Sequence, residues 1–346
     1  AGEVVDLTPA IQANTDFYGR NKVRERVAFP WYGFTQAFCE MRIPFLPIHI
    51  NDIGRYSDRI KTLILPDMAV MSKAQTDSVL RFLNHGGNLV FSGITGTLNE
   101  DGEASGDTRL WDALGLRLTG KTYGEFTQQP ASWENMQAHN YLHLFEQRHP
   151  ILAGFADTEI IALGGGVYGT LTRGPLSPVA GYVDPFPIYP PEFSYIRKIS
   201  DDVSTVFAGT LASGSRVVYF AADIDRCYGR ERLPDHAALL ANAVRWTLRN
   251  ELPVEVKGNG KIDVHLYQKG SAKILHLINL SGCDENPGYC HRFIPISNIE
   301  VTIPSVDCIG KVALLVKGTE IPYQLEKKKL SFCVPDVQDH EVIIIS

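Results

Sequence analysis

One stretch decides the fold class of this chain, Lys61–Glu103, which reads KTLILPDMAVMSKAQTDSVLRFLNHGGNLVFSGITGTLNEDGE. Its pattern predicts a buried strand at Thr62–Leu65, a loop, an amphipathic helix over Ala74–Asn84 and a second buried strand at Asn88–Ser92. The pair Gly86-Gly87 ends the helix, because glycine tolerates a positive φ. A strand–helix–strand unit of this length predicts a parallel sheet with a right-handed crossover.

A turn follows the second strand, at the sheet edge where α/β proteins place their chemistry. Its sequence, Ser92-Gly93-Ile94-Thr95-Gly96, is shaped like a nucleophile elbow, but Ile94 stands at its centre. An isoleucine side chain cannot attack a carbonyl, and neither neighbour is a cysteine. Glutaminase chemistry is therefore not expected at this turn.

The composition describes a globular protein that has no electrostatic reason to bind polyanions. The 346 residues carry a formal net charge of -6, which gives no basis for contact with nucleic acid or an anionic membrane surface. No apolar run reaches the length of a membrane-spanning helix, so we expect a soluble protein, either cytoplasmic or exported after loss of an N-terminal segment. The six cysteines form no CxxC pair, so no metal and no cofactor is expected. Cys283 and Cys290 flank one loop, where they are either free thiols or a small disulfide.

The pattern of the chain changes near Asn250, and we expect two domains, residues 1–250 and 251–346. In the first, a prolyl-interrupted strand is predicted at Ile43–Ile50, a hairpin at residues 203–221 and a helix from Pro234. After Asn250, short segments such as IDVHLYQ and AKILHLINL alternate apolar and polar residues between turns. This alternation predicts an antiparallel β-sandwich.

The order of elements in residues 31–250 resembles the class I glutamine amidotransferase-like domain, in the version that serves as the trimerisation domain of bacterial beta-galactosidases. The residues that carry this resemblance are Arg42-Ile43-Pro44, Tyr56, Thr62–Leu65, Pro66, Ala74–Asn84, Gly86-Gly87, Gly96, Glu100 and the segment RVVYFAADI that begins at Arg216. The tail, from Val264 to Val342, is similar to the small β-sandwich that closes many uncharacterised glycoside-hydrolase-like proteins.

This resemblance implies a flavodoxin-like (amidotransferase-like) parallel sheet flanked by helices, followed by a C-terminal antiparallel β-sandwich. In such proteins a catalytic (β/α)8 barrel commonly precedes both pieces, and these 346 residues contain none. The implied partners are carbohydrate, further copies of the chain, or a catalytic barrel.

Two acidic residues, Asp223 and Asp225, follow the strand RVVYFA and are the first candidates for chemistry. Carboxylates one residue apart at a strand end point the same way, so they could share a sugar hydroxyl, a cation or a proton. Arg226 and His236 follow closely and are candidates for ligand binding. The alternative is a structural network of aspartate and arginine that holds the loop.

A second candidate acid is Glu192, in the proline-rich segment Tyr189-Pro190-Pro191-Glu192. A stiff aromatic segment suits stacking against a sugar, which makes Tyr189 a candidate ligand-binding residue. The alternative is an exposed loop carboxylate without a function.

Taken together, these patterns favour a non-catalytic assembly or carbohydrate-associated module of a glycoside-hydrolase-like protein, without an amidotransferase nucleophile. The alternative is a free-standing carbohydrate-active hydrolase that uses carboxylates at the C-terminal edge of the sheet.

Overall fold

The computed structural model describes residues 24–126, 139–282 and 292–346. It divides into two compact units. Of the described residues, the first unit holds those before 35 and those in 48–249, and the second holds those in 35–47 and in 250–346. Cys283 and Cys290, predicted to be free or joined, lie outside the described residues.

Six α-helices occur in the described part of the chain. They are α1 (Phe29–Met41), α2 (Ile53–Tyr56), α3 (Lys73–Asn84), α4 (Arg109–Leu114), α5 (Ile224–Glu231) and α6 (Pro234–Thr247). A π-helix, Arg24–Ala28, precedes α1. The predicted start of α3 is fixed by a capping box, in which Ser72 and Gln75 exchange side-chain and backbone hydrogen bonds. None of the described helices is long and apolar enough to cross a membrane.

Nine strands belong to the described residues of the first unit. They are β1 (Thr62–Leu65), β2 (Asn88–Ser92), β3 (Leu116–Gly124), β4 (Tyr141–His143), β5 (Ile160–Ala162), β6 (Gly166–Thr172), β7 (Leu176–Val183), β8 (Ile199–Thr210) and β9 (Arg216–Phe220). Seven of them form one sheet in the order β1-β2-β9-β8-β7-β4-β5, and β3 pairs with β6. The two strands predicted from the opening stretch are therefore neighbours, with parallel pairing.

The main sheet is mixed, so the expectation of a parallel sheet holds for only part of it. Strands β1, β2 and β9 run parallel, whereas the pairs β9–β8, β8–β7, β7–β4 and β4–β5 are antiparallel. The predicted hairpin at residues 203–221 causes the change, because its short turn reverses the chain directly after β8. The first unit is therefore α/β with a mixed sheet.

The centre of the first unit is built around β2, whose five residues are all buried. Leu89, Val90 and Phe91 expose none of their surface, as expected for a strand covered on both faces. Helices α3 and α6 both contact β2. The carboxyl end of β2 is thus held inside the unit, and it fixes the position of the turn that follows.

Within its described residues, the second unit contains two antiparallel sheets. Its strands are β10 (Glu255–Lys257), β11 (Ile262–Lys269), β12 (Ala272–Asn279), β13 (Ile296–Ile303), β14 (Val312–Leu314), β15 (Thr319–Ile321), β16 (Tyr323–Glu326), β17 (Lys329–Val337) and β18 (His340–Ile345). One sheet has the order β10-β13-β17-β16 and the other β11-β12-β18-β14-β15. Buried side chains of both sheets, including Leu275, Ile299 and Ile343, form one hydrophobic cluster. The period-two alternation of the sequence explains this inward face.

The segment Ile43–Ile50 differs from its prediction. It forms no strand and runs as irregular chain into a 3-10 helix at Ile50–Asp52. Pro44 and Pro47 lack the backbone N–H that a sheet ladder needs, which explains the absence of pairing. Residues 35–47 also belong to the second unit rather than to the first.

Candidate functional site

The carboxyl ends of β1, β2 and β9 lie side by side in the first unit. Leu65 is paired with Phe91, and Ser92 with Phe220, so the three strands finish at one level. The residues that follow them are Asp67, the turn Gly93–Gly96 and Asp223. Because neighbouring parallel strands present their following residues at one edge, this is the position where the sequence predicted chemistry.

Asp223 lies at the N-cap position of α5 and is 4% exposed. Its Oδ1 accepts a hydrogen bond of 2.8 Å from the amide of Gly166, and its Oδ2 pairs with Nε of Arg226. A Cβ at residue 165 would lie 2.2 Å from Oδ1, so glycine is required there. The carboxylate is therefore enclosed by the chain.

Arg226 is the centre of a buried ionic network. Besides Asp223, it pairs with Glu25 at 2.8 Å and with Glu125, and its side chain is 4% exposed. Arg230 also contacts Glu25 and Glu125, at 3.0 and 3.2 Å. Burial acts to lower the pKa of Arg226, but the carboxylates around it outweigh burial and raise that pKa above its usual range. Arg226 is thus a fixed cation within the structure.

Asp225 bonds to a different set of partners. Ser92 donates a 2.5 Å hydrogen bond to its Oδ2, and the amide of Arg226 donates to its Oδ1 at 2.9 Å. The residue is 1% exposed, and burial raises the pKa of its carboxyl to about 7 although the hydrogen bond from Ser92 opposes the shift. A carboxyl with this pKa exchanges its proton near neutrality.

The two aspartates bond to different groups of the chain. Residue 223 is the N-cap of α5 and residue 225 lies in its first turn, so the backbone is turning rather than extended. In a helical turn, residues two apart point to different sides, unlike residues two apart in a strand. The prediction that both carboxylates point the same way is therefore wrong. Their role in catalysis stays a prediction.

The remaining predicted site residues have no described hydrogen bond with this network, although His236 is near enough to Asp223 for their charges to interact. Glu192 is exposed, within a 3-10 helix at Pro191–Phe193, and Tyr189 is 65% exposed in the same segment. His236 is buried in α6, and its Nε2 lies 2.8 Å from the carbonyl oxygen of Ala162. Burial lowers the pKa of His236, so the ring is neutral at physiological pH.

The sequence missed several members of the network. Asp67 follows β1 and Pro66, and the rule that drew attention to Asp223 applies equally to it. Its Oδ1 accepts a 2.9 Å hydrogen bond from the amide of Ile94. Burial raises the pKa of Asp67. Glu25 and Glu125 carry no such signal, because they lie in segments that the sequence left unassigned.

The described residues contain no group of three or more histidine, cysteine or acidic side chains placed to hold a metal ion. A surface cleft of about 560 Å³ lies at the opposite edge of the sheet, between Lys61, Arg81 and His85. It includes none of the predicted site residues. The described side chains at the carboxyl edge include buried carboxylates, guanidinium groups, the Ser92 hydroxyl and the thiol of Cys227, which lies 3.5 Å from Oδ1 of Asp223.

No family model and no curated protein matches the chain. Solved structures do. Alpha-L-fucosidase isoenzyme 2 from Paenibacillus thiaminolyticus matches with a TM-score of 0.67 and 20% identity, over 91% of this chain and 44% of that one. Beta-galactosidase from Bacillus circulans sp. alkalophilus matches with a TM-score of 0.58 and 13% identity, over 91% and 37%. The GH42 beta-galactosidase Gan42B from G. stearothermophilus matches with a TM-score of 0.54 and 15% identity, over 90% and 35%.

These matches cover nearly all of this chain but less than half of each enzyme. At 20% identity or lower, they show a likeness of fold. The chain therefore shares its fold with a part of these enzymes that makes up less than half their length.

Proposed function

We propose that this chain is a non-catalytic assembly or carbohydrate-associated module of a glycoside-hydrolase-like protein. The main support for this proposal is that the two aspartates at the sheet edge are buried. Asp223 and Asp225 are 4% and 1% exposed, and each carboxylate bonds to groups of the chain itself. A general acid or nucleophile has to reach the glycosidic bond directly or through one water. Enclosed in this way, neither carboxylate is presented to a substrate.

The link with carbohydrate rests on the fold and on the neighbours that share it, a beta-galactosidase and an alpha-L-fucosidase among them. Since the chain spans less than half of these enzymes, we propose that it works beside a catalytic domain or as part of an oligomer. The beta-galactosidase trimerisation domain is the type of module that we propose.

An exposed aromatic segment supports a role in contact with a partner or a sugar. Between Asp184 and Lys198, the residues Tyr189, Phe193 and Tyr195 are 65%, 53% and 55% exposed. Aromatic rings with open faces contribute strongly to both protein interfaces and sugar binding. We assign assembly or sugar contact to this segment rather than to the buried carboxylates.

The alternative proposal is a free-standing hydrolase that uses Asp223, Asp225 and Glu192. The raised pKa of Asp225, about 7, favours it, because a general acid must keep its proton near neutral pH. Against it stand the enclosure of both aspartates and the position of Glu192 in a separate exposed segment.

One set of experiments separates the two proposals. The purified protein is tested for hydrolysis of nitrophenyl β-galactoside and α-L-fucoside, and its thermal melt is recorded with and without a panel of sugars. We expect no hydrolysis, a lower Tm for Asp223→Asn, and an unchanged Tm for the exposed control Glu192→Gln. Hydrolysis that is lost in Asp225→Asn while Tm is kept would establish the hydrolase instead.

Assembly is tested by light scattering on Phe193→Ser and Tyr195→Ser, with the exposed Leu171 replaced by serine as the control. We expect the first two variants to lower the mass of the oligomer or to remove a sugar-dependent rise in Tm. If they behave like the control in both measurements, the aromatic segment has no such role.

A further inference from the structure

The turn after β2 binds a carboxylate of the chain itself, that of Asp67. The amide of Ile94, at the centre of this turn, donates a 2.9 Å hydrogen bond to Oδ1 of Asp67. Asp67 adopts a φ of +38°, a conformation that non-glycine residues rarely adopt. The backbone of Asp67 is thus in an unfavourable conformation, and this conformation places its carboxylate next to the amide of Ile94.

The space for this carboxylate depends on Gly93. A Cβ at residue 93 would lie 2.0 Å from Oδ1 and 2.4 Å from Cγ of Asp67. Gly93 also has a φ of +61°. The glycine therefore leaves open a space the size of a carboxyl group, and Asp67 fills it.

Arg26 supplies positive charge to the same space. Its Nη1 lies 3.9 Å from Oδ2 of Asp67, and it donates a 2.6 Å hydrogen bond to the hydroxyl of Tyr168. The guanidinium group is centred 4.4 Å from the ring of Phe126, which holds it in place. A separation of 3.9 Å is too long for a hydrogen bond, so the attraction to Asp67 is that of charge. This attraction and the hydrogen bond from Ile94 offset part of the cost of burial, which raises the pKa of Asp67.

The walls of this space do not depend on the carboxylate. Met68 donates to Oγ1 of Thr95 at 3.0 Å, and the amide of Gly96 donates to the carbonyl oxygen of Met68 at 2.9 Å. The amide of Asp67 itself donates to Oγ of Ser92. Because these bonds use backbone groups of residues 67 and 68, they survive the replacement of the Asp67 side chain.

We propose that the amide of Ile94 and the guanidinium group of Arg26 form a site for a small carboxylate anion, which Asp67 occupies as an internal ligand. The site is closed to external anions as long as Asp67 is present. This inference goes beyond the proposed function and does not depend on it, since it concerns the turn and not the aromatic segment.

The test is rescue by acetate of the variant Asp67→Gly. Glycine suits the positive φ and removes the carboxylate, so the site becomes vacant while its walls remain. In chloride we expect this variant to melt below the wild type. Replacing chloride by acetate at constant ionic strength and pH 7.5 should raise its Tm saturably, by roughly 3–5 °C once acetate exceeds its Kd about tenfold.

Two matched variants complete the experiment. Asp67→Asn fills the space with a neutral side chain of the same size, so its Tm, like that of the wild type, should not respond to acetate. Adding Arg26→Gln to Asp67→Gly should weaken the response, and acetamide, which is neutral, should give none. If Asp67→Gly does not fold in chloride, Asp67→Ser is used in the same titration, and its refolding yield should rise in acetate.

The proposal is rejected if neither vacated variant responds to acetate. It is equally rejected if the wild type and Asp67→Asn respond as much as Asp67→Gly, because acetate would then act elsewhere. Loss of sugar binding or of assembly in any variant bears on the proposed function alone.

Discussion

The hydroxyl of Ser92, the last residue of β2, donates a 2.5 Å hydrogen bond to the carboxyl of Asp225 in the first turn of α5. The two residues are 133 positions apart in the sequence, and both are buried. This bond joins the central strand to the helix that follows β9. The hydrogen bond holds the carboxyl of Asp225 in buried surroundings, where ionisation of that carboxyl costs free energy.

The stability of the protein should depend on pH through Asp225. Burial raises the pKa of this carboxyl from 3.8 to about 7, so the folded state holds a proton between about pH 4 and 7 that the unfolded state has released. Stability is therefore lost as the pH rises through this window, and the loss is complete above pH 7. Relative to Asp225→Asn, the wild type should lose on the order of 4 kcal/mol across this window.

Urea denaturation of both proteins at several pH values measures this difference. His149 and His236 act in the opposite direction, because burial lowers the pKa of each and protonation below pH 6.5 destabilises the folded state. Both proteins contain these histidines, so their contribution cancels and the difference reports Asp225 together with its electrostatic interaction with Asp67. A difference in free energy that stays constant from pH 4 to pH 8 would contradict the raised pKa.

Removing Arg226 should destabilise the first unit strongly. Arg226→Met leaves the carboxylates of Glu25, Glu125 and Asp223 buried with less compensating charge, which typically costs about 3–5 kcal/mol. Chemical denaturation measures the loss.

The matched control for this prediction is Arg109→Met. Arg109 pairs with Asp77 at 2.5 Å and with Asp107, but these side chains are far more exposed. An exposed ion pair contributes only about 0–1 kcal/mol, so the control should remain close to the wild type. Similar losses of unfolding free energy in both variants would show that the buried network contributes no more stability than an exposed ion pair.

Helices α1 and α5 pack too closely at Gly33 for a methyl group, so adding one there should destabilise the protein. A Cβ there would lie 1.8 Å from the carbonyl oxygen of Asp225. Because backbone cannot move aside as a flexible side chain can, Gly33→Ala should cost at least ~3 kcal/mol in a thermal or chemical melt.

Gly54→Ala provides the control, since Gly54 lies in α2 and a methyl group there would meet no other part of the described chain within 4 Å. Alanine is preferred over glycine in a helix, so this change should be neutral or stabilise by up to about 1 kcal/mol. A tolerated Gly33→Ala would mean that α1 and α5 can separate freely.

The turn after β2 should lack glutaminase activity, in the native sequence and in Ile94→Cys alike. The amide of residue 94 is engaged by Asp67, and the described hydrogen bonds of the turn include no histidine that could activate a thiol. Ammonia release from glutamine is the measurement. Ammonia production, or labelling of the turn by a glutamine-analogue electrophile, would overturn this expectation.

The sequence by itself determined the local elements of this protein. The apolar period of residues 74–84 and Gly86-Gly87 after it identify α3, because helix ends are decided by neighbours a few positions away. Strict alternation after Asn250 likewise identifies the antiparallel strands. The sequence also placed Asp223 and Asp225 at the edge of the sheet, because both directly follow a predicted buried strand.

Only the tertiary structure decided which strands run antiparallel and what surrounds these carboxylates. Glu25 and Glu125 meet Arg226 across 201 and 101 residues, and no local pattern encodes contacts of that range. The start of α5 turned the two aspartates toward different partners, which a strand would not have done. Folding thus enclosed Asp223 and Asp225 but left the third candidate acid, Glu192, exposed. The ionic and hydrogen-bonding partners of the two aspartates are brought together only when the chain packs.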